Sequence, residues 1–146
     1  MAPTIGLLGD VMLGRGVAGA LESTPPADVW SPELRELAAG CDVVVANLEC
    51  CISERGRPTR RIPGKPFFFR APPQAVESLR AIGAGAVSLA NNHALDYEEE
   101  ALADTLDHLD AAGIPRVGAG RGAAEARRGI VVEVGGARLG VVAVSD

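Results

Sequence analysis

Apolar residues come in short runs that end abruptly in polar groups, and between the runs the spacing turns helical. Thr4 to Leu8 is the first run, a strand closed by Gly9-Asp10. Arg15 to Leu21 predicts a short helix, and Ser23 to Trp30, with its two prolines, a loop. Ser31-Pro32-Glu33 opens a helix: a serine cap, proline at the first helical position and an acid in the first turn. That helix runs to Ala39 and stops at Gly40. Asp42 to Ala46 is a continuous valine run suited to a strand buried on both faces. Leu48 to Lys65 reads as irregular, Phe67 to Arg70 as a short strand and Pro73 to Ile82 as a helix. Ala86 to Leu89 is the third main strand, and Ala90 to Asp96 the loop after it. From Tyr97 to Ala112, Leu102, Leu106 and Leu109 recur at helical spacing, and Gly113 closes the helix. Arg116 to Val117 predicts a short strand and Ala123 to Arg127 a small helix. Gly129 to Val134 and Arg138 to Val144 form a hairpin across Gly135-Gly136.

Strands alternating with helices predict an α/β fold around a mostly parallel sheet. The length, 146 residues, suits one domain. Val141 to Val144 reads as a buried strand, yet only Ser145 and Asp146 follow it. The expectation is therefore the N-terminal part of a larger domain, cut after residue 146, with that last strand more exposed than a core strand should be.

Composition narrows the picture. Aromatic residues make up 3% of the chain, so the core is aliphatic. The net charge of −5 argues against a general nucleic-acid binder, which needs a basic surface. No apolar run reaches the ~18–20 residues of a membrane span, and MAPTIGLLGD lacks the charged start of a signal peptide. Cys41, Cys50 and Cys51 have no C-x-x-C spacing and read as reduced thiols of a cytoplasmic protein.

In open parallel sheets ligands bind beyond the C-terminal ends of the strands. Here the first strand ends in Asp10, the second in Asn47 and Glu49, and the third in Asn91, Asn92, His93 and Asp96. Asp10 and Glu49 are hard anionic ligands, Asn92 offers a carbonyl oxygen and His93 an imidazole. Such a mixed set suits Mn²⁺, Fe²⁺, Zn²⁺ or Mg²⁺, and two such ions clamp a phosphoryl or acyl centre and activate water. His93 followed by Asp96 suits a general acid held by a carboxylate. The competing reading is that Asp and Asn after strands are turn residues and that Asp96 only starts the helix at Tyr97. Arg15 could reach an anionic substrate or pair with a neighbouring carboxylate. The basic loop Arg55, Arg57, Arg60, Arg61 and Lys65 could bind a polyanion or be a solvated face. His108, mid-helix, reads as a surface residue.

GDVMLGR at 9–15, ANLECCIS at 46–53, KPFFFRAPP at 65–73, SLANNHALDY at 88–97 and AAGIPRVGAGR at 111–121 occur in this order. Together they resemble the bacterial capsule-synthesis protein CapA family, associated with poly-γ-glutamate. That family is similar to the calcineurin-like metallophosphatases. The resemblance implies the first half of an α/β/β/α sandwich, and two divalent metals in the complete protein. It implies metal-ligand positions for Asp10, Glu49 and Asn92, with Glu49 bridging, and a substrate-facing acid in His93 beside Asp96. Arg15 and Arg61 are the candidate substrate-binding cations, for a small molecule or polyglutamate, and other capsule-synthesis proteins are the expected partners. One departure stands out. Metallophosphatases open with Asp-x-His, and here Asp10-Val11-Met12 lacks that histidine. The readings left open are a metal-dependent hydrolase of phosphoester or amide bonds, a non-catalytic polyanion-binding component, and an inactive fragment.

Overall fold

The computed structural model describes residues 2–145. In chain order the elements are β1 (Ile5–Val11), α1 (Arg15–Ala20), a 3-10 turn (Pro26–Val29), α2 (Pro32–Ala39), β2 (Val43–Leu48), β3 (Cys51–Ile52) and β4 (Arg70–Ala71). There follow α3 (Ala75–Ala81), β5 (Ala84–Ser88), α4 (Glu98–Ala111), β6 (Arg116–Val117), α5 (Ala123–Ala126), β7 (Ile130–Val134) and β8 (Ala137–Val141). The fold is α/β, as the alternating pattern predicts. Its centre is a four-stranded parallel sheet in the order β1-β2-β5-β6, so all four C-terminal ends lie on one edge.

Two small sheets accompany it. β3 and β4 pair in parallel, and β7 and β8 form the expected antiparallel hairpin. The β3–β4 pair is half expected: β4 falls at the end of the short strand predicted over 67–70, whereas β3 lies in the stretch 48–65 that reads as irregular, because a two-residue strand leaves no periodicity to detect. It sits between α4, which packs on β3, and α1, which packs on β4. The core is aliphatic. Leu48, Ile52, Leu79, Leu89, Leu106 and Leu109 are fully buried, which joins β2, β3, α3 and α4 in one cluster. At about 25 cal/mol per Å² of apolar surface, each such side chain contributes roughly 2 kcal/mol before entropy.

Several boundaries move. β1 runs on to Val11 rather than stopping at Leu8, β2 runs on to Leu48, and β8 stops at Val141. Val142 and Val144 are 79% and 92% exposed, so this segment is not a core strand among the described residues. No helix there is long and apolar enough to cross a membrane.

Candidate active site

β1 delivers Asp10 through a bulge. Leu7 pairs with Val45 and Asp10 with Asn47, so β1 uses one residue more than β2 over the same span. Gly9 takes up the extra residue at φ +65°, a conformation that side chains rarely adopt. Register then places Asp10, Asn47 and Ser88 side by side on neighbouring strands.

A relay of amides ties the three strand ends together. Asn47 Nδ2 donates to Asp10 Oδ1 at 2.8 Å. Asn91 Nδ2 donates to Asn47 Oδ1 and to the Leu48 carbonyl, both at 2.9 Å. Asn91 Oδ1 accepts from the His93 backbone N–H at 3.0 Å. Asn47 and Asn91, which in the sequence are only polar strand ends, thus fix Asp10 relative to His93.

The loop after β5 turns inward at His93 and Asp96. His93 Nδ1 lies 2.7 Å from Asp96 Oδ2. Asp96 is fully buried and His93 nearly so. Asp96 Oδ2 also accepts from the Phe69 backbone N–H at 2.6 Å, and its Oδ1 faces the Lys65 ammonium at 2.6 Å. An acid that accepts from the Phe69 N–H and is paired with the Lys65 ammonium acts as acceptor toward His93 too. That assigns the imidazole proton to Nδ1 and leaves Nε2 as the free ring nitrogen. The Phe69 ring covers the imidazole, with centroids 4.1 Å apart and planes at 25°. Asp96 does not start the next helix: α4 begins two residues later, at Glu98.

Sequence reasoning missed Lys65 and Phe69 as members of this centre. Lys65 is nearly buried and also donates to the Asn92 carbonyl. A signal existed: the chain has thirteen arginines and a single lysine. Where a compact, desolvated point charge is needed, lysine and arginine are not interchangeable.

The other candidates are placed less tightly. The Glu49 carboxylate makes no hydrogen bond or ion pair among the described residues; its backbone N–H donates to the Val11 carbonyl at 2.9 Å. Asn92 is exposed and lines a cavity of about 480 Å³ with Asn91, Leu95 and Gly118. Arg61 reaches outward to Glu98 at 2.9 Å and Glu99 at 2.6 Å. Arg15 holds its guanidinium 5.3 Å from the Phe67 ring centroid rather than against a carboxylate. Cys50 and Cys51 are packed inside, and burial pushes both thiols up to about 12, away from the thiolate a metal needs. His108 is half-buried on α4.

The donor set bears on whether a metal fits. The described residues contain no group of three or more His, Cys, Asp and Glu side chains that could hold an ion. Asp10 Oδ1 is taken by Asn47, and His93 Nδ1 by Asp96. These residues do not by themselves complete a metal site.

Most of the basic loop is also accounted for. Arg55 binds Glu100 and Asp104, Arg61 binds Glu98 and Glu99, and Lys65 binds Asp96. Hydrogen bonds from Arg55, opposed by burial and aided by Ser53, hold the Asp104 carboxyl down to about 2. The loop is a strap fastened to α4, and Arg57 and Arg60 are left over from it.

The family model described as bacterial capsule synthesis protein PGA_cap matches residues 4–146. A "probable polyglutamine synthesis accessory protein" of Mycobacterium tuberculosis (strain H37Rv) is 34% identical, over 95% of this chain and 44% of its own length. The capsule biosynthesis protein CapA of Bacillus anthracis is 25% identical, over 98% of this chain and 34% of its own. An uncharacterized protein of Sinorhizobium fredii is 28% identical, over 95% of this chain and 29% of its own. The chain spans less than half the length of these relatives.

Proposed function

Because the chain belongs to the bacterial capsule synthesis protein PGA_cap family, we propose that it serves poly-γ-glutamate synthesis as an accessory protein with a hydrolase-type site at the strand ends. The names of its relatives support the capsule role. The observation that carries the hydrolytic reading is the buried His93–Asp96 pair at 2.7 Å. Held by Asp96, His93 presents Nε2 to a substrate. Protonated there, it gives a proton to a leaving amine or alkoxide; neutral, it takes one from water. Lys65 and the Phe69 N–H fix the carboxylate that orients the ring. Poly-γ-glutamate is a chain of amides, so the bond offered is an amide. Asp10, Glu49 and Asn92 are the residues at which the family resemblance seeks a divalent ion. Among the described residues their donor set is too small to complete that site. Arg57 and Arg60, which meet no carboxylate among the described residues, favour the second reading, a polyanion-binding component without catalysis. Partners, on either reading, are the polymer and the proteins that make it.

Incubation with oligo-γ-glutamate, followed by mass spectrometry of chain length, separates the two. The hydrolytic reading expects shortening by the wild type and a loss of about 10²-fold or more in His93→Ala at unchanged melting temperature. Equal shortening by His93→Ala, or binding without shortening by the wild type, contradicts it.

A further inference from the structure

Arg15 and Arg70 share a cleft of about 470 Å³ that no part of the proton-transfer centre lines. Gly14 brings them together: a Cβ there would lie 2.9 Å from the Arg70 carbonyl oxygen, so only glycine lets α1 approach β4 this closely. Arg15 follows at φ +52°, a strained conformation for a side-chain-bearing residue. Such strain persists where the surroundings enforce it, and it gathers at ligand sites.

Both guanidinium groups are steered by rings rather than by acids. Arg15 stands over Phe67 at 5.3 Å, and Arg70 over Tyr97 at 4.2 Å, with Arg70 Nη1 donating to the Arg55 carbonyl at 3.1 Å. Glu22 and Glu54 line the same cleft, and neither carboxylate forms an ion pair among the described residues. This contrasts with α4, where Arg55, Arg61, Arg116 and Arg121 all meet acids. A ladder joins the cleft to the reaction centre. Phe67 stacks on Phe69 at 6.4 Å, and Phe69 on His93 at 4.1 Å.

We infer that this cleft binds the amino-terminal end of a γ-glutamyl chain. The inference rests on the polyglutamate reading above. Each γ-linked residue carries a free α-carboxylate, which a planar guanidinium takes through two parallel hydrogen bonds. The first residue also carries an ammonium. Arg15 and Arg70 receive carboxylates, and Glu22 and Glu54 receive the ammonium. Unpaired charges of both signs in one cleft suit a ligand that carries both.

The test is calorimetric titration with short oligo-γ-glutamate, with its amino end free or acetylated. Arg15→Gly and Arg70→Gln are each expected to weaken binding about tenfold or more. Arg15→Gly also relieves the left-handed strain, so its melting temperature does not fall, which separates lost binding from lost fold. Glu22→Gln/Glu54→Gln weakens the free-amine oligomer and leaves the acetylated one unchanged. No binding by the wild type, or wild-type affinity in both arginine variants, overturns the cleft. Equal affinity for the free and acetylated oligomers overturns its reading of the amino end. If arginine-dependent binding persists while His93-dependent cleavage is absent, the cleft stands and the hydrolytic reading falls. If cleavage persists without arginine-dependent binding, the reverse holds.

Discussion

The rim of the sheet behind β5 and the rim behind β1 and β2 are built on opposite principles. Behind β5, His93, Asp96 and Lys65 are nearly or fully buried, and Asp96 has an ammonium, an imidazole and a backbone N–H around it. Behind β1 and β2, Asp10 is exposed and Glu49 half-buried, with one amide between them and the rest of the site. Charge removed from water costs several kcal/mol unless partnered, so the first rim has to be preorganised and the second does not. A preorganised carboxylate–imidazole pair is the requirement for proton transfer.

The largest expected effect is on the buried rim. Lys65→Met leaves Asp96 without its ammonium and is expected to cost about 3–5 kcal/mol in chemical denaturation. A loss below about 1 kcal/mol would mean that the pair behaves as a surface ion pair and the contrast is false. Next is the relay between the rims. Asn91→Leu strands the His93 N–H, Asn47 Oδ1 and the Leu48 carbonyl, and is expected to cost about 1–3 kcal/mol. An unchanged midpoint would uncouple the rims.

A smaller effect separates the strap from both. Asp104 sits well below its ordinary 3.8, at about 2. A depressed folded value stabilises the fold above the ordinary value, and that contribution is lost as pH falls from about 4 toward 2. Asp104→Asn should lack this part of the acid limb, seen as a flatter stability profile there. An identical profile would show that the strap carries no stability of this kind. The smallest effect on stability belongs to the exposed rim. Asp10→Asn/Glu49→Gln should change it by no more than about 0.5 kcal/mol. Any weak Mn²⁺ or Zn²⁺ binding by this chain should vanish in the same variant. Tight binding by the wild type would mean that these few donors suffice for a metal site after all.

Much of this layout is legible in the residues. Three apolar runs ending in polar groups predict the parallel sheet and its loaded edge, and the Ser31-Pro32 start and the leucine spacing of α4 predict those helices. α3 starts at Ala75, two residues later than the sequence predicts, since a proline pair reads equally as a turn or a first helical position. What the residues hide is long-range. The bulge at Gly9 emerges only when β1 is paired with β2. β3 is two residues long, below any periodic signal, and β4 keeps only the end of the strand predicted over 67–70. Lys65 and Phe69 meet Asp96 across about thirty residues of sequence, and the single lysine is the only local hint. The pairing of Arg61 with Glu98 and Glu99, likewise, depends on how the strap folds over α4.

Every role given to the buried rim depends on one tautomer: Asp96 holds His93 with its proton on Nδ1, leaving Nε2 free for a substrate. Long-range ¹H–¹⁵N correlation of the imidazole in its neutral form reads that proton's position. The expected spectrum has a protonated Nδ1 and a bare Nε2 in the wild type, with that preference lost in Asp96→Asn. A wild-type His93 carrying its proton on Nε2 would overturn the assignment, and with it the proton transfer proposed for the site.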